Sequence, residues 1–349
     1  MICIAWIGMG SYAECAVAQF AKDTDEEIRL IAITSDVPKV CADRIAGVPV
    51  IWITPEDKRT LRELLGDVPR VLVTSGWYLE LFRRYTGEVH AAGGKNIALS
   101  DNPFHLSLKL LLWIVYFNLT VRRRYDGFMA SGSSAYRLLR WAGVSKRRLG
   151  SGIYPCNLEL FTNGGDLSKR EKKIVYVGRY ISIKNILPFL QVYAEFSKAH
   201  PDWSLDMYGQ GPQESEVKKV IDGSGCQSVT LHPFAKPVEL ADLYKRVRAL
   251  VLPSVNDHWG VVVQEAAASG CALLVSTGVR SADDFCSARN ALYFSHDSKS
   301  EMRAALDRMA AWEDAQWRDA QRESLRLAQV LTPKTFSDQL RGVISGLEA

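Results

Sequence analysis

Arg179 and Lys184 stand five residues apart, just beyond the apolar run Lys173–Val177, with Gly178 ahead of the arginine and Asn185 behind the lysine. Two cations on one strand-to-helix loop can clamp a diphosphate, because guanidinium and ammonium donors meet its oxygens while the helix N-terminus behind them adds a positive end. Alone, the pair reads equally as two solvated surface cations. A second loop narrows the choice. After the run Ala249–Leu252 comes Pro253-Ser254-Val255-Asn256-Asp257-His258-Trp259-Gly260, then a helical pattern bearing Glu265. Seven residues separate Asp257 from Glu265, and Gly260 permits close backbone approach at the turn into the helix. A carboxylate in the first turns of such a helix can accept hydrogen bonds from two sugar hydroxyls. An isolated glutamate there would only complement the helix dipole.

The N-terminal half offers weaker signals. Gly8-Met9-Gly10-Ser11 follows the first apolar run, and Ala13 stands where a third glycine would complete a phosphate-binding turn. Asp36 is placed to serve as the acidic ribose partner of a dinucleotide fold, or as simple turn chemistry. Ser100-Asp101-Asn102-Pro103-Phe104-His105 closes another run. Asp101 and His105 there suit an acceptor hydroxyl, and equally a turn with His105 capping the next helix. Ser75-Gly76-Trp77-Tyr78 reads as an aromatic platform for a sugar or as core.

Short β-rich runs alternate with helical patterns along nearly the whole chain, which places these loops at the ends of strands. The strands expected in the first half are Ile2–Ile7, Arg29–Thr34, Val48–Ile53, Arg70–Thr74, Ile97–Ser100 and Gly127–Ala130. Helices are expected at Ser11–Lys22, at Thr54–Leu65 with Thr54 as N-cap and Pro55 at N1, and at Ser133–Ala142. The second half repeats the rhythm with strands at Lys173–Val177, Ser204–Tyr208, Val229–Leu231, Ala249–Leu252, Ala272–Val275 and Ala291–Phe294. Its helices are expected at Ile186–Lys198, Gln213–Ile221, Pro237–Arg246 and Val261–Ser269. Alternation of this kind predicts parallel doubly wound sheets, whose ligands bind beyond the carboxyl ends of the strands. The polar stretch Asn157–Glu171 divides the halves into domains of 1–160 and 161–332. After a helical run over Ser300–Gln329, a last helix from Thr332-Pro333 carries Phe336, Leu340, Val343 and Leu347 on one face, and residues 333–349 are free to return to the first domain.

The 349 residues suffice for two such cores, and 47% hydrophobic with 23% charged residues is an ordinary globular composition. A net charge of +4 suits an anionic substrate or a membrane surface, and no basic stripe with interleaved aromatics argues for nucleic acid. Seven cysteines without a CxxC suggest neither a disulfide framework nor a zinc site, and a cytoplasmic, reducing compartment fits. MICIAWIGMGSY reads as a first strand rather than a signal peptide. Leu110–Val121 is apolar over about twelve residues and runs into Arg122, Arg123 and Arg124, which is too short to span a bilayer. It reads as a buried helix, or as an interfacial element with Trp113, Tyr116 and Phe117 among the headgroups and the arginines on anionic lipid.

Taken in order, VGRY with Lys184-Asn185, then YGQGP at 208–212, then Pro253-Ser254 with Asp257, Glu265, Ala266, Ala268 and Gly270, resemble the C-terminal half of glycosyltransferase family 4. The resemblance implies an α/β, GT-B fold, with two Rossmann-like domains facing a cleft, and a retaining, metal-independent transfer. It implies no cofactor beyond a nucleoside-diphosphate sugar as donor substrate. Arg179 and Lys184 would neutralise the diphosphate, Glu265 would hold the nucleotide ribose, and Asp257 would contact the sugar. Gly260 would open the last of these helices, and the Gly8–Gly10 turn would face the donor from the other domain. The acceptor would be a glycan or a lipid-linked glycan, the lipid clause and a peripheral membrane contact through 110–124 being motivated by the apolar and arginine residues of that stretch rather than by the resemblance. Two departures stand out: Asp257 occupies a position where the family usually carries glutamate, and Thr277-Gly278-Val279-Arg280 replaces a glycine pair. Three other readings therefore stay open: a nucleotide-sugar epimerase on the same fold, a noncatalytic sugar-nucleotide-binding relative, and a dinucleotide oxidoreductase resting on Gly8, Gly10, Ala13 and Asp36.

Overall fold

The computed structural model describes residues 1–34, 43–104, 106, 108–162 and 165–349. They divide into two compact units, Met1–Asn157 with Leu331–Ala349, and Leu158–Val330. Each is built on one sheet.

In the first unit the strands are β1 (Ile2–Ile7), β2 (Ile28–Ile33), β3 (Arg44–Ile45), β4 (Val48–Ile53), β5 (Val71–Thr74), β6 (Lys95–Ser100), β7 (Gly127–Ala130) and β8 (Leu149–Ser151). They lie in the order β3-β4-β2-β1-β5-β6-β7-β8, parallel throughout except for the short antiparallel β3. The helices are α1 (Ser11–Asp23), α2 (Leu61–Leu65), α3 (Glu80–Ala91), α4 (Leu108–Tyr116) and α5 (Ser133–Trp141), with a π-helical turn over Phe117–Val121 directly after α4. Strand β1 shows why its sequence reads as a continuous apolar run. Ile2, Ile4 and Trp6 enter the core on one face while Cys3 and Ala5 enter the core on the other. A central parallel strand is covered on both faces, so polar residues have no side to occupy.

The second unit contains α6 (Leu158–Phe161), β9 (Glu171–Val177), α7 (Ile186–Ala199), β10 (Ser204–Tyr208), α8 (Glu214–Ser224), β11 (Val229–His232), α9 (Pro237–Arg246) and β12 (Val247–Leu252). It continues with α10 (Val261–Ala268), β13 (Ala272–Ser276), α11 (Ala282–Phe285), β14 (Ala291–Phe294), α12 (Lys299–Ala310) and α13 (Asp314–Ala328). The sheet order β11-β10-β9-β12-β13-β14 is parallel throughout. The chain then enters α14 (Pro333–Glu348), which belongs to the first unit and places Phe336, Leu340, Val343 and Ile344 in the same core cluster as Ile4, Trp6 and Ala13.

Two elements differ from expectation. The helix expected over Thr54–Leu65 exists only as α2, because Thr60 and not Thr54 provides the cap. The Thr60 side chain accepts from the Glu63 N–H and the Glu63 carboxylate accepts from the Thr60 N–H, a reciprocal box that starts the helix seven residues later than Thr54. The run Ser300–Gln329 is two helices, α12 and α13, and Glu313 caps the second. Within the polar stretch between the halves, α6 and a 3-10 turn at Leu167–Lys169 are formed, while 163 and 164 lie outside the described residues.

Candidate functional site

In the second sheet the strand order reverses between β9 and β12, so the loops after these two strands flank a crevice at the carboxyl edge. Arg179, Lys184, Asp257, Gly260 and Glu265 all sit on these two loops or on the helix that follows. Arg179 is exposed, and its guanidinium meets no hydrogen-bond acceptor or carboxylate among the described residues. Its backbone is held instead, since the Tyr176 hydroxyl donates to the Arg179 carbonyl at 2.9 Å. Lys184 ends a 3-10 turn, and Asn185 then takes a left-handed conformation, φ 55°, that opens α7. The Asn185 amide donates to the His296 carbonyl at 2.7 Å, which supports that conformation.

The two loops are tied to each other. The Val255 N–H donates to the Ile183 carbonyl at 2.8 Å. The Lys184 ammonium forms an ion pair with the Asp257 carboxylate, and both groups are largely buried. Asp257 is held from the other side as well. Its N–H donates to Gly278 and its carbonyl accepts from the Arg280 N–H, an isolated parallel bridge between the β12 and β13 loops. Gly278 allows this approach, because a Cβ there would lie 2.2 Å from the Val255 carbonyl oxygen. The Ser276 hydroxyl donates to the Ser254 carbonyl, and the Ser281 hydroxyl donates to the Gly260 carbonyl at 3.3 Å. Ser254 belongs to the motif already quoted, while Ser276 and Ser281 are site residues that the motif reading passed over. Ser276 ends β13 and Ser281 precedes α11, and a hydroxyl at a strand or helix end that can bond backbone is the signal that would have found them.

Gly260 caps α10 at φ 66°, ψ 66°, a left-handed region that favours glycine. Five residues on, Glu265 is 8% exposed, and its carboxylate finds no hydrogen-bond donor among the described residues. Burial pushes its pKa up from the ordinary carboxyl range to about 7. A buried carboxyl without a donor is unfavourable when ionised, and a ligand bringing hydroxyl donors would relieve that.

The β10 loop completes the edge. Its Gly209 and Gly211 run so close to the β9 loop that a Cβ would lie 1.9 Å from the Gly178 oxygen and 2.5 Å from the Tyr180 oxygen. Backbone hydrogen bonds interlock the two, Gly178 N–H to Tyr208, Tyr180 N–H to Gln210 and Gln213 N–H to Tyr180. Tyr208 stacks on His232 with ring centres 4.3 Å apart.

In the first unit the equivalent reversal lies between β1 and β5. Gly8 has φ 55° and Gly10 caps α1, while the Ile7 N–H donates to the Ser75 hydroxyl at 2.7 Å and joins the two loops. Asp101 lies at the end of β6 and accepts from the Tyr154 hydroxyl at 3.3 Å. Tyr154 packs edge-on against Tyr12, 5.1 Å away on the first turn of α1, so Asp101 and the glycine turn share one aromatic cluster. Burial and the nearby Asp101 charge push the Tyr12 phenol up to about 12 and hold that of Tyr154 well above its ordinary value. His105 and Asp36 lie outside the described residues. The aromatic pair 77–78 splits: Trp77 packs against Phe117, 6.1 Å between centres, while Tyr78 is exposed.

The apolar stretch 110–124 needs a correction. Phe117 is fully buried and Trp113 stacks on it at 5.0 Å, so neither faces outward as an interfacial residue would. Tyr116 does face outward. The stretch is apolar on both sides, and sequence pattern alone gave no way to choose its inner face.

Residues 161–322 match the family model described as Glycosyl transferases group 1. Among curated proteins, an exopolysaccharide phosphotransferase of Streptomyces coelicolor is 28% identical over 100 residues, 28% of this chain and 10% of that one. A glycosyltransferase of Haemophilus influenzae described as uncharacterized is 31% identical over 119 residues, 33% of each chain. The matched stretch thus spans a tenth and a third of the length of these relatives. Among solved structures, Anabaena HepE in complex with UDP and glucose superposes with a TM-score of 0.71 over 99% of this chain and 100% of its own, at 13% identity. Sucrose-phosphate synthase from Thermosynechococcus elongatus does so with a TM-score of 0.71 over 100% and 99%, at 15% identity. These likenesses place the chain in the GT-B fold.

Proposed function

We propose that this chain, whose residues 161–322 belong to the group 1 glycosyltransferase family on a GT-B fold, moves a sugar from a nucleoside diphosphate to a glycan or lipid-linked glycan with retention of anomeric configuration. One observation carries the reading. At the reversal point of the second sheet, the loops and helix that follow β9 and β12 carry a lysine–aspartate pair together with a guanidinium and a buried carboxylate that meet no partner among the described residues.

Each group has a task in that reaction. Breakage of the bond between the sugar C1 and the phosphate oxygen leaves negative charge on the diphosphate. Arg179, Lys184 and the free N–H groups at the start of α10 are fixed beforehand where that charge grows, so little reorganisation accompanies the step. Lys184 is held by Asp257 before the donor arrives, and the incoming phosphate draws it away and leaves Asp257 open to sugar hydroxyls. Glu265 takes the ribose hydroxyls. On the first unit, Asp101, steadied by Tyr154, is the group for the acceptor hydroxyl, with His105 beside it in sequence. No metal is assigned a part. The chain would work in the cytoplasm at the inner face of a membrane when its acceptor is lipid-linked.

Because HepE was solved with UDP, uridine nucleotides lead the test panel. Melting curves with nucleoside diphosphates and their sugars are run on wild type and on Arg179→Ala/Lys184→Ala. A ligand at a hundred times its dissociation constant raises wild-type stability by about 2.7 kcal/mol, and the double variant is expected to lose most of that shift. Equal shifts in both proteins would remove the clamp. A donor that stabilises the protein and is released as an altered sugar without acceptor would favour the epimerase instead.

A further inference from the structure

Helix α4 and the π-turn behind it present one row of large apolar side chains to solvent. Leu108, Leu111, Leu112, Val115, Tyr116 and Leu119 follow the i, i+3, i+4, i+7, i+8, i+11 spacing of a single helix face. Leu108 is 86% exposed and Leu112 74%, and each of the others is about half exposed or more. The opposite face is already occupied, with Leu110, Phe117 and Val121 buried and Trp113 packed on Phe117. The element therefore has an apolar face left over after its own unit has been built. Scattered exposed leucines need no explanation, but a continuous row marks a surface that meets something apolar.

The charges around the row say what that is. No aspartate or glutamate occurs between Asp101 and Asp126, while Lys109, Arg122, Arg123 and Arg124 fall in that interval. Arg122 and Arg123 are exposed at the far end of the row. There the Arg122 N–H bonds to the Phe117 carbonyl at 2.9 Å, the longer step of a π-turn. A hollow of about 90 Å³ opens at this end, lined by Arg122, Ser145 and Arg148 among others. Its one carboxylate, that of Asp126, is engaged by the Asn96 N–H and by His90, each at 2.9 Å. Two guanidinium groups beside a leucine row match phosphate headgroups beside acyl chains. A second protein surface offering apolar contact would have no need of this one-signed rim.

We infer that the outward face of α4, with Arg122, Arg123 and Arg148 at its end, docks the protein on an anionic lipid bilayer. The segment Leu108–Val121 is about 21 Å long as a helix, below the roughly 30 Å of a bilayer core, so it lies along the surface rather than crossing it. None of the described helices is long and apolar enough to cross. Leu108 follows Asp101 by seven residues, so a docked α4 holds the acceptor end of β6 next to the lipid. This deepens the lipid-linked acceptor reading and rests on it only for that last consequence.

The test is flotation of the whole chain with vesicles of phosphatidylcholine alone and of phosphatidylcholine with a quarter phosphatidylglycerol, with no donor or acceptor present. Wild type is expected to float with the anionic vesicles and to be released by high salt. Leu108→Ser/Leu112→Ser/Val115→Ser and Arg122→Gln/Arg123→Gln are each expected to lower that partitioning by about tenfold or more. All five side chains are exposed, and an unchanged melting temperature shows that the variants fold. Wild type that stays with neither vesicle overturns the inference, as does binding that neither variant weakens. A wild-type dimer that the leucine variant converts to monomer assigns the face to a second copy and overturns it too. Nucleotide-induced stabilisation is read separately on the same variants, so failure of docking and failure of the donor site are distinguishable.

Discussion

Glu265 combines near-complete burial with a carboxylate that no described residue supplies with a donor, and burial raises its pKa to about 7. In the unfolded chain the same group returns to its ordinary value of 4.5. A raised folded pKa means that the native state binds the proton more tightly, so the contribution to stability is full below 4.5 and is lost as pH rises through about 7. Glu265→Gln, which does not titrate, is expected to gain about 3 kcal/mol on wild type between pH 4.5 and pH 8 in urea unfolding, and to bind nucleotide more weakly. Superimposable pH profiles would show that the carboxyl is not desolvated. This residue was legible because a glutamate eight positions past an acidic loop residue falls at a fixed place on the following helix. The Lys184–Asp257 pair was not, since the partners stand 73 positions apart on different loops and no local pattern links them. Trp113 and Phe117 misled for a different reason: a helix apolar all round carries no periodic sign of which face is inside.

At the scale of elements, the donor edge is made by loops locked backbone to backbone. Gly209 is a sharp probe, because its Cβ would lie 1.9 Å from the Gly178 oxygen and the clash is with main chain that has nowhere to rotate. Gly209→Ala is expected to cost about 1–3 kcal/mol and to weaken nucleotide binding by moving the Arg179 loop. Gly223→Ala on α8, where a Cβ would meet nothing within 4 Å, serves as control and should stabilise by roughly 0.5–1 kcal/mol. Urea midpoints and nucleotide-induced melting shifts check both. Most strands were legible within one or two residues because buried parallel strands are continuous apolar runs. The short strands β3 and β8 were not, since Arg44–Ile45 and Leu149–Ser151 offer too few residues for any period. Thr54-Pro55 carried a start signal as good as that at Thr60, and only the Thr60–Glu63 reciprocal bonds decide between them.

Over the whole molecule, the chain passes between its two units twice, at 157/158 and at 330/331. The amphipathic face of α14 was readable, and its burial against α1 and the first sheet follows from Phe336, Leu340, Val343 and Ile344 sharing one core with Trp6 and Phe20. Leu340→Ala is expected to cost about 2–5 kcal/mol in the first unit, while nucleotide-induced stabilisation of the second persists. Loss of both together would mean that the units do not unfold independently.

The return of α14 also sets an order of events on the ribosome. Residues 331–349 are translated after all of 158–330, so the second unit has its full complement of strands and helices before the first can close its core. Chains commonly fold from the N-terminus forward as they are made. Here the first-made sheet must wait, with the groove beside Trp6 and Phe20 uncovered, through the synthesis of 173 further residues, at 5–20 residues per second roughly ten to thirty seconds. A stop codon near residue 331 would therefore spare the later-made unit and leave the earlier one unfinished.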